Sequence, residues 1–137
     1  MKIQLIPHSP ERKRELFGLI GELCADTKVH KALGAPINSR PGDLWLVALE
    51  NEEVTGICCL RALKSKPNLF INCLYTFDNS KLATQLRWAA EKEAKSLQMI
   101  EISVTDLLDR KDQYLAEGWK PATPHGKQYM SYRKELA

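Results

Sequence analysis

The chain is 137 residues long, with four cysteines and a formal net charge of +3. A chain of that length buries about two thirds of the surface its unfolded form exposes, so one domain is expected to fold without a disulfide or metal staple. The small charge excess is spread along the sequence, which excludes bulk electrostatics as a means of holding nucleic acid.

The opening MKIQLIPHSP has one lysine and too short an apolar run before Pro7 for a signal peptide, and no apolar stretch approaches the roughly 18 residues of a membrane span. Cys24, Cys58, Cys59 and Cys73 lack the paired short spacing of zinc or redox motifs. They are expected to be reduced core thiols of a cytoplasmic protein with no bound metal and no membrane contact.

Lys2 to Ile6 alternate polar and apolar, predicting a strand, and Pro7-His8-Ser9-Pro10 breaks it and offers Ser9 as a helix cap. Leu16, Leu19, Ile20 and Leu23 recur at helical steps, predicting a helix over about 10–26. The polar stretch Thr27 to Asp43 follows, with a short helix around Val29 to Leu33. LWLVALE (44–50) and VTGICCLRAL (54–63) then form a hairpin, in which the adjacent Cys58 and Cys59 point to opposite faces. A turn at 64–68 leads to the strand LFINCLYTF (69–77).

In the next helix Leu82, Leu86, Ala89, Ala90, Ala94 and Leu97 make one apolar face. Trp88 lies off that face and is expected to be covered by the C-terminal strands. MIEISV (99–104) is a strand, a short helix covers about 108–117 before Gly118, and two strands follow near 119–122 and 128–134. Mostly hairpin connections with two helical crossovers predict a mixed α/β (α+β) fold, a largely antiparallel sheet of six to seven strands with helices on both faces.

This element order, the hairpin WLVALENEEVTGICCLR (45–61) with Gly56 in its second strand, and the string Tyr114-Leu115-Ala116-Glu117-Gly118-Trp119 followed by the closing strand YMSYRKEL (129–136) resemble the GNAT-type N-acetyltransferases. The resemblance covers nearly the whole chain. It implies acetyl-coenzyme A as co-substrate and an amine acceptor, small molecule or protein, on a monomer or homodimer. Leu74, Tyr75 and Thr76 are implied to pair with the pantetheine arm. Ser80, Lys81, Leu82, Ala83 and Thr84 are implied to hold the pyrophosphate at the helix start. Tyr114 is implied to protonate the leaving thiolate.

The family's Gln/Arg-x-x-Gly-x-Gly/Ala motif aligns with Asp78, Lys81 and Ala83, of which only Ala83 conforms. The glycine-free turn has two readings. Its free N–H groups and the donors of Ser80, Lys81 and Thr84 attract an anion, each such helix-end contact contributing about 0.3 to 1 kcal/mol. Alternatively Asp78 or Asn79 caps the helix and satisfies those same N–H groups.

A thiol pKa near 8.5 against about 10 for tyrosine makes full proton transfer uphill by about 2 kcal/mol in water, so Tyr114 is expected to contribute at most about 10² to 10⁴ in rate. LFINCLYTF holds no acid, which leaves Asn72, Tyr75, Glu101 or an ordered water as the base. Deprotonating a lysine side chain of pKa about 10.4 costs about 4.6 kcal/mol at pH 7, an α-amine near 7.7 about 1. A low-pKa amine is the expected acceptor. His30, Lys31, Arg40, His125 and Lys127 are expected to frame its cleft. Two other readings stay open: a non-catalytic protein-binding module on this fold, or an acyltransferase acting on a nucleic acid or nucleotide through a basic rim of Lys64, Lys66, Lys120 and Lys127.

Overall fold

The computed structural model describes residues 1–63 and 66–136, so Lys64 of the expected basic rim lies outside the described residues. Seven strands form one sheet in the order β1-β2-β3-β4-β5-β7-β6. They are β1 (Lys2–Pro7), β2 (Leu44–Glu50), β3 (Glu53–Leu63), β4 (Asn68–Tyr75), β5 (Glu101–Leu107), β6 (Lys120–His125) and β7 (Tyr129–Glu135). The β4 and β5 pair is parallel and every other pair antiparallel. The mixed fold and the seven-stranded limit of the expectation are what the chain adopts.

Helices α1 (Lys13–Ala25) and α2 (Thr27–Leu33) cover one face, where Leu16, Ile20, Leu23 and Val29 pack with Trp45, Val47, Ile57 and Cys59. On the other, α3 (Ser80–Ser96) and α4 (Lys111–Ala116, after a 3-10 turn over Leu108–Arg110) bury Leu82, Leu86, Ala90, Ala94 and Tyr114 against Cys58, Leu60, Ile71, Ile102 and Tyr132. Cys58 and Cys59 thus belong to opposite faces, as strand alternation requires. Gly56 is the close-approach point: a Cβ there would press on Leu82, Leu86 and Thr76, so the glycine lets the start of α3 sit down on β3.

Several boundaries differ from expectation. Helix α1 begins at Lys13, because Ser9 closes a turn by accepting from the Arg12 N–H rather than capping the helix. Strand β4 stops at Tyr75, because Phe77 and Asp78 take left-handed φ of 51° and 64° and turn the chain into α3. Strand β5 runs on to Leu107, held by β7 along its whole length. Trp88 is 60% exposed, against the expected cover. The C-terminal strands extend the sheet beside β5 instead of crossing over α3, and they reach that helix through the Lys134 ammonium, which donates to Glu91.

One irregularity positions the site. Cys59 pairs with Cys73 and Leu60 with Ile71, so Asn72 is an extra residue bulged out of β4. The parallel pairing of β4 with β5 ends at Ile71 opposite Val104, immediately before that bulge. Beyond it the two strands diverge.

Candidate active site

The divergence opens a cleft of about 360 Å³ through the middle of the sheet. Its walls are the β4 segment Asn72 to Thr76, the β5 end from Thr105 to Leu107, the start of α3, and the loop after α2. Backbone groups of Leu74, Tyr75 and Thr76 on the β5 side have lost their strand neighbour, which is the condition under which a bound molecule can pair with them.

At the mouth, the turn into α3 closes tightly without glycine. The Asn79 N–H donates to the Thr76 carbonyl at 3.0 Å, and Thr76 Oγ1 donates back to the Asn79 carbonyl at 2.9 Å. Asn79 is the cap of α3, its side chain accepting from the Leu82 N–H at 3.0 Å. Of the two open readings the cap is therefore present, but it consumes a single donor. Among the described residues the N–H groups of Ser80 and Lys81 keep no partner.

Ser80 and Ala83 line the cleft, and so does Asp78. Lys81 is exposed outside it, Leu82 is buried in the core, and Thr84 bonds to the Ser80 carbonyl and to Glu117.

Tyr114 is fully buried, stacked face to face on Tyr132 with ring centroids 4.1 Å apart. Its hydroxyl donates to Asp106 Oδ2 at 2.6 Å. Burial first, and then the Asp106 charge, push the tyrosine pKa well above its usual range. Asp106, on the cleft wall, also accepts from the Leu107 N–H at 2.7 Å and from Arg110 Nη1 at 3.0 Å.

Asp106 is the carboxylate that sequence reasoning passed over. It lies in β5 beyond Val104, the expected end of that strand, and so falls in the expected connection to the helix that begins near 108. Glu101, weighed as a base, lies at the opposite end of β5, where it accepts from Asn68 and pairs with Arg133.

Behind Tyr114, Arg87 is 1% exposed and forms a two-pronged pair with Glu117, Nε to Oε1 at 2.7 Å and Nη2 to Oε2 at 2.6 Å. Its guanidinium carbon lies 4.6 Å over the Tyr114 ring. This pair ties α3 to the end of α4 and fixes the ring from behind.

The acceptor side is framed by the loop after α2 and by the start of β7, but not by the expected residues. His30, Lys31, Arg40, His125 and Lys127 do not line the cleft; Leu33, Pro36, Ile37, Asn38 and Tyr129 do. Gly34, with φ of 79°, caps α2, and a Cβ on it would collide with the Tyr129 hydroxyl, so the loop and β7 meet over the cleft. Two anchors hold the loop. Ser39 Oγ accepts from Trp45 Nε1 at 2.9 Å, and buried Asp43 accepts from Arg61 Nε at 2.9 Å and Nη2 at 2.7 Å. Burial opposes the Asp43 charge, but bonds from Arg61 and the Arg40 N–H outweigh it and hold the carboxyl below its usual range.

Among the described residues no three His, Cys, Asp or Glu side chains converge as a metal site, and no helix is long and apolar enough to cross a membrane. No protein-family model matches the chain, and no curated protein sequence does. Solved structures do. Escherichia coli ElaA is 14% identical with a TM-score of 0.77, covering 98% of this chain and 99% of that one. A CoA-dependent acyl-homoserine lactone synthase, BjaI, with SAM and isopentyl-CoA, is 15% identical with a TM-score of 0.72, over 98% of this chain and 83% of that one. An acetyltransferase of the GNAT family from Staphylococcus aureus Mu50 is 14% identical with a TM-score of 0.64, over 99% of this chain and 100% of that one. The chain has the GNAT-type N-acetyltransferase fold.

Proposed function

We propose that this GNAT-type fold carries out acyl transfer from acetyl-coenzyme A to an amine, with the thioester lying where β4 leaves β5. The observation that carries the reading is the break in the β4–β5 ladder at the Asn72 bulge, which leaves strand backbone unpaired beside a carboxylate-bearing wall. The pantetheine arm pairs with backbone at Leu74, Tyr75 and Thr76. The pyrophosphate rests on the free N–H groups of Ser80 and Lys81 at the positive end of α3, with the Lys81 ammonium and the Ser80 hydroxyl as further donors, while the Thr84 hydroxyl, bonded to the Ser80 carbonyl and to Glu117, braces the helix end. Leu82 and Ala83 shape that helix end, the first by its capped N–H and the second by its small side chain.

In the reaction the amine nitrogen bonds to the thioester carbon and the carbon–sulfur bond breaks. The proton lost by nitrogen ends on sulfur, giving an amide and a free thiol. Asp106, the carboxylate on the β5 wall beside the diverging strands, takes and returns that proton, whereas Asp78 lies at the mouth by the start of α3. Tyr114 and Arg110 hold its carboxylate in place, so Tyr114 acts through Asp106. A tyrosine whose pKa is raised by burial is a poor direct acid, whereas its hydroxyl is a strong donor to an anion.

Release of free thiol from acetyl-coenzyme A, followed with a panel of primary amines, tests the reading. Amine-dependent release that disappears in Asp106→Asn is expected. Release that does not depend on any amine, or that survives unchanged in Asp106→Asn, contradicts it.

A further inference from the structure

The acceptor side of the cleft has a one-sided hydrogen-bonding character set by Arg61. Besides its two bonds to Asp43, this side chain donates from Nη2 to Asn38 Oδ1 at 3.0 Å and from Nη1 to Asn72 Oδ1 at 3.3 Å. A guanidinium has donors only, so both amides must turn their oxygens towards it. Asn38 Oδ1 accepts a further bond from Asn72 Nδ2 at 3.4 Å. Both oxygens are thereby engaged. Among the described residues, the Nδ2 group of the exposed Asn38 donates to no protein atom, and that of the half-buried Asn72 donates only to Asn38.

Both asparagines line the cleft, and Asn72 is the bulged residue at the point where the strands part. The surroundings on this side are Leu33, Pro36, Ile37 and Tyr75, none of which carries a carboxylate to receive an ammonium. Arg61 is neutralised by Asp43, so the pair of amides presents N–H donors without net charge.

Resting on the acyl-transfer reading above, we propose that Asn38 and Asn72 form a subsite for a neutral carbonyl oxygen adjacent to the attacking nitrogen. The acceptor class is then the α-amino carbonyl unit found in amino-acid amides and at the amino terminus of a peptide. Two independent features converge on it. The donors select an oxygen acceptor, and a charge-neutral site prefers an amide carbonyl to a carboxylate. The Asn38–Asn72 wall holds no carboxylate to bind an ammonium, which leaves Asp106 to neutralise the nitrogen, and α-amines, the low-pKa class, cost least to neutralise at pH 7.

The test compares kcat/KM for alaninamide, free alanine and trifluoroethylamine, the last a weakly basic amine without a carbonyl, in the wild type and in Asn38→Asp, with coenzyme A binding measured separately. Asn38→Asp keeps oxygens for Arg61 and replaces the free donor with an acceptor. The expected result is alaninamide at least tenfold above both other amines, with that ratio falling below threefold in Asn38→Asp. Equal use of alaninamide and trifluoroethylamine by a protein that binds coenzyme A, or a ratio unchanged in the variant, overturns the subsite and leaves acyl transfer standing. A preference for free alanine overturns the neutral-carbonyl assignment. Failure of the wild type to bind coenzyme A overturns both readings.

Discussion

The Tyr114 hydroxyl and the Asp106 carboxylate meet at 2.6 Å, the tyrosine wholly buried and the aspartate on the cleft wall. That order assigns them unequal roles. Asp106→Asn is expected to lower kcat by about 10² to 10⁴, the usual worth of a positioned proton carrier. Tyr114→Phe leaves Arg110 and the Leu107 N–H on the carboxylate and is expected to lower kcat by about tenfold, at a stability cost of about 1.5 to 3 kcal/mol. Steady-state rates beside melting curves check both. A larger rate loss for Tyr114→Phe than for Asp106→Asn would return the tyrosine to direct contact with the reacting atoms.

The glycine-free turn carries opposing charges. Asp78 lines the mouth of the cleft, and Lys81, exposed, follows Ser80 in the first turn of α3. With a pyrophosphate seated there, Asp78→Asn should tighten coenzyme A binding about two- to fivefold and Lys81→Ala should weaken it by a similar factor, each matching about 0.3 to 1 kcal/mol. Calorimetric titration reads both signs. Indifference to both substitutions would place the phosphates elsewhere.

Arg87 and Glu117 form a pair that removal of one partner should disrupt severely. Arg87→Met leaves a buried carboxylate and is expected to cost about 3 to 5 kcal/mol in denaturant unfolding, whereas Arg87→Met with Glu117→Leu should recover most of that loss. The recovery would show that the pair fixes the α3 to α4 geometry rather than supplying net stability. Equal destabilisation of single and double variants would show otherwise.

Asp43 gives the fold a pH signature. Its carboxyl is held below its usual range, so its contribution is complete above the unfolded pKa of about 3.9 and is lost as pH falls through the lower folded value. The stability difference between wild type and Asp43→Asn should therefore be constant from pH 7 to about 5 and shrink below pH 4. Urea unfolding across that range measures it. A difference that persists at the lowest pH would mean that Asp43 acts through shape rather than charge.

Much of the architecture is legible in the residues because it rests on long apolar patterns. The hairpin runs through LWLVALE and VTGICCLRAL, and the α3 face through Leu82, Leu86, Ala90 and Ala94. The Asn72 bulge is not legible, since no glycine or proline marks it and its cause lies in the register with β3. Asp106 is obscured because β5 is extended by pairing with β7, a long-range contact that local periodicity does not carry. The acceptor side is not legible in charged residues such as His30 and Lys127, because the loop that walls it is small and apolar and is placed by its Gly34 cap and by β7. Trp88 shows the same limit: helical phase places it off the core face, but only the sheet order decides what covers it.

The most direct measurement is the melting temperature with and without acetyl-coenzyme A, beside dephosphorylated and pantetheine-only fragments. Ligand at 100 times its Kd adds about 2.7 kcal/mol, which in a domain of this size raises the midpoint by about 5 °C or more. The account predicts that rise, shrinking for each fragment and in Lys81→Ala. A folded protein whose midpoint does not move with any of the three would contradict it, and would mark the cleft between β4 and β5 as a scaffold without its thioester.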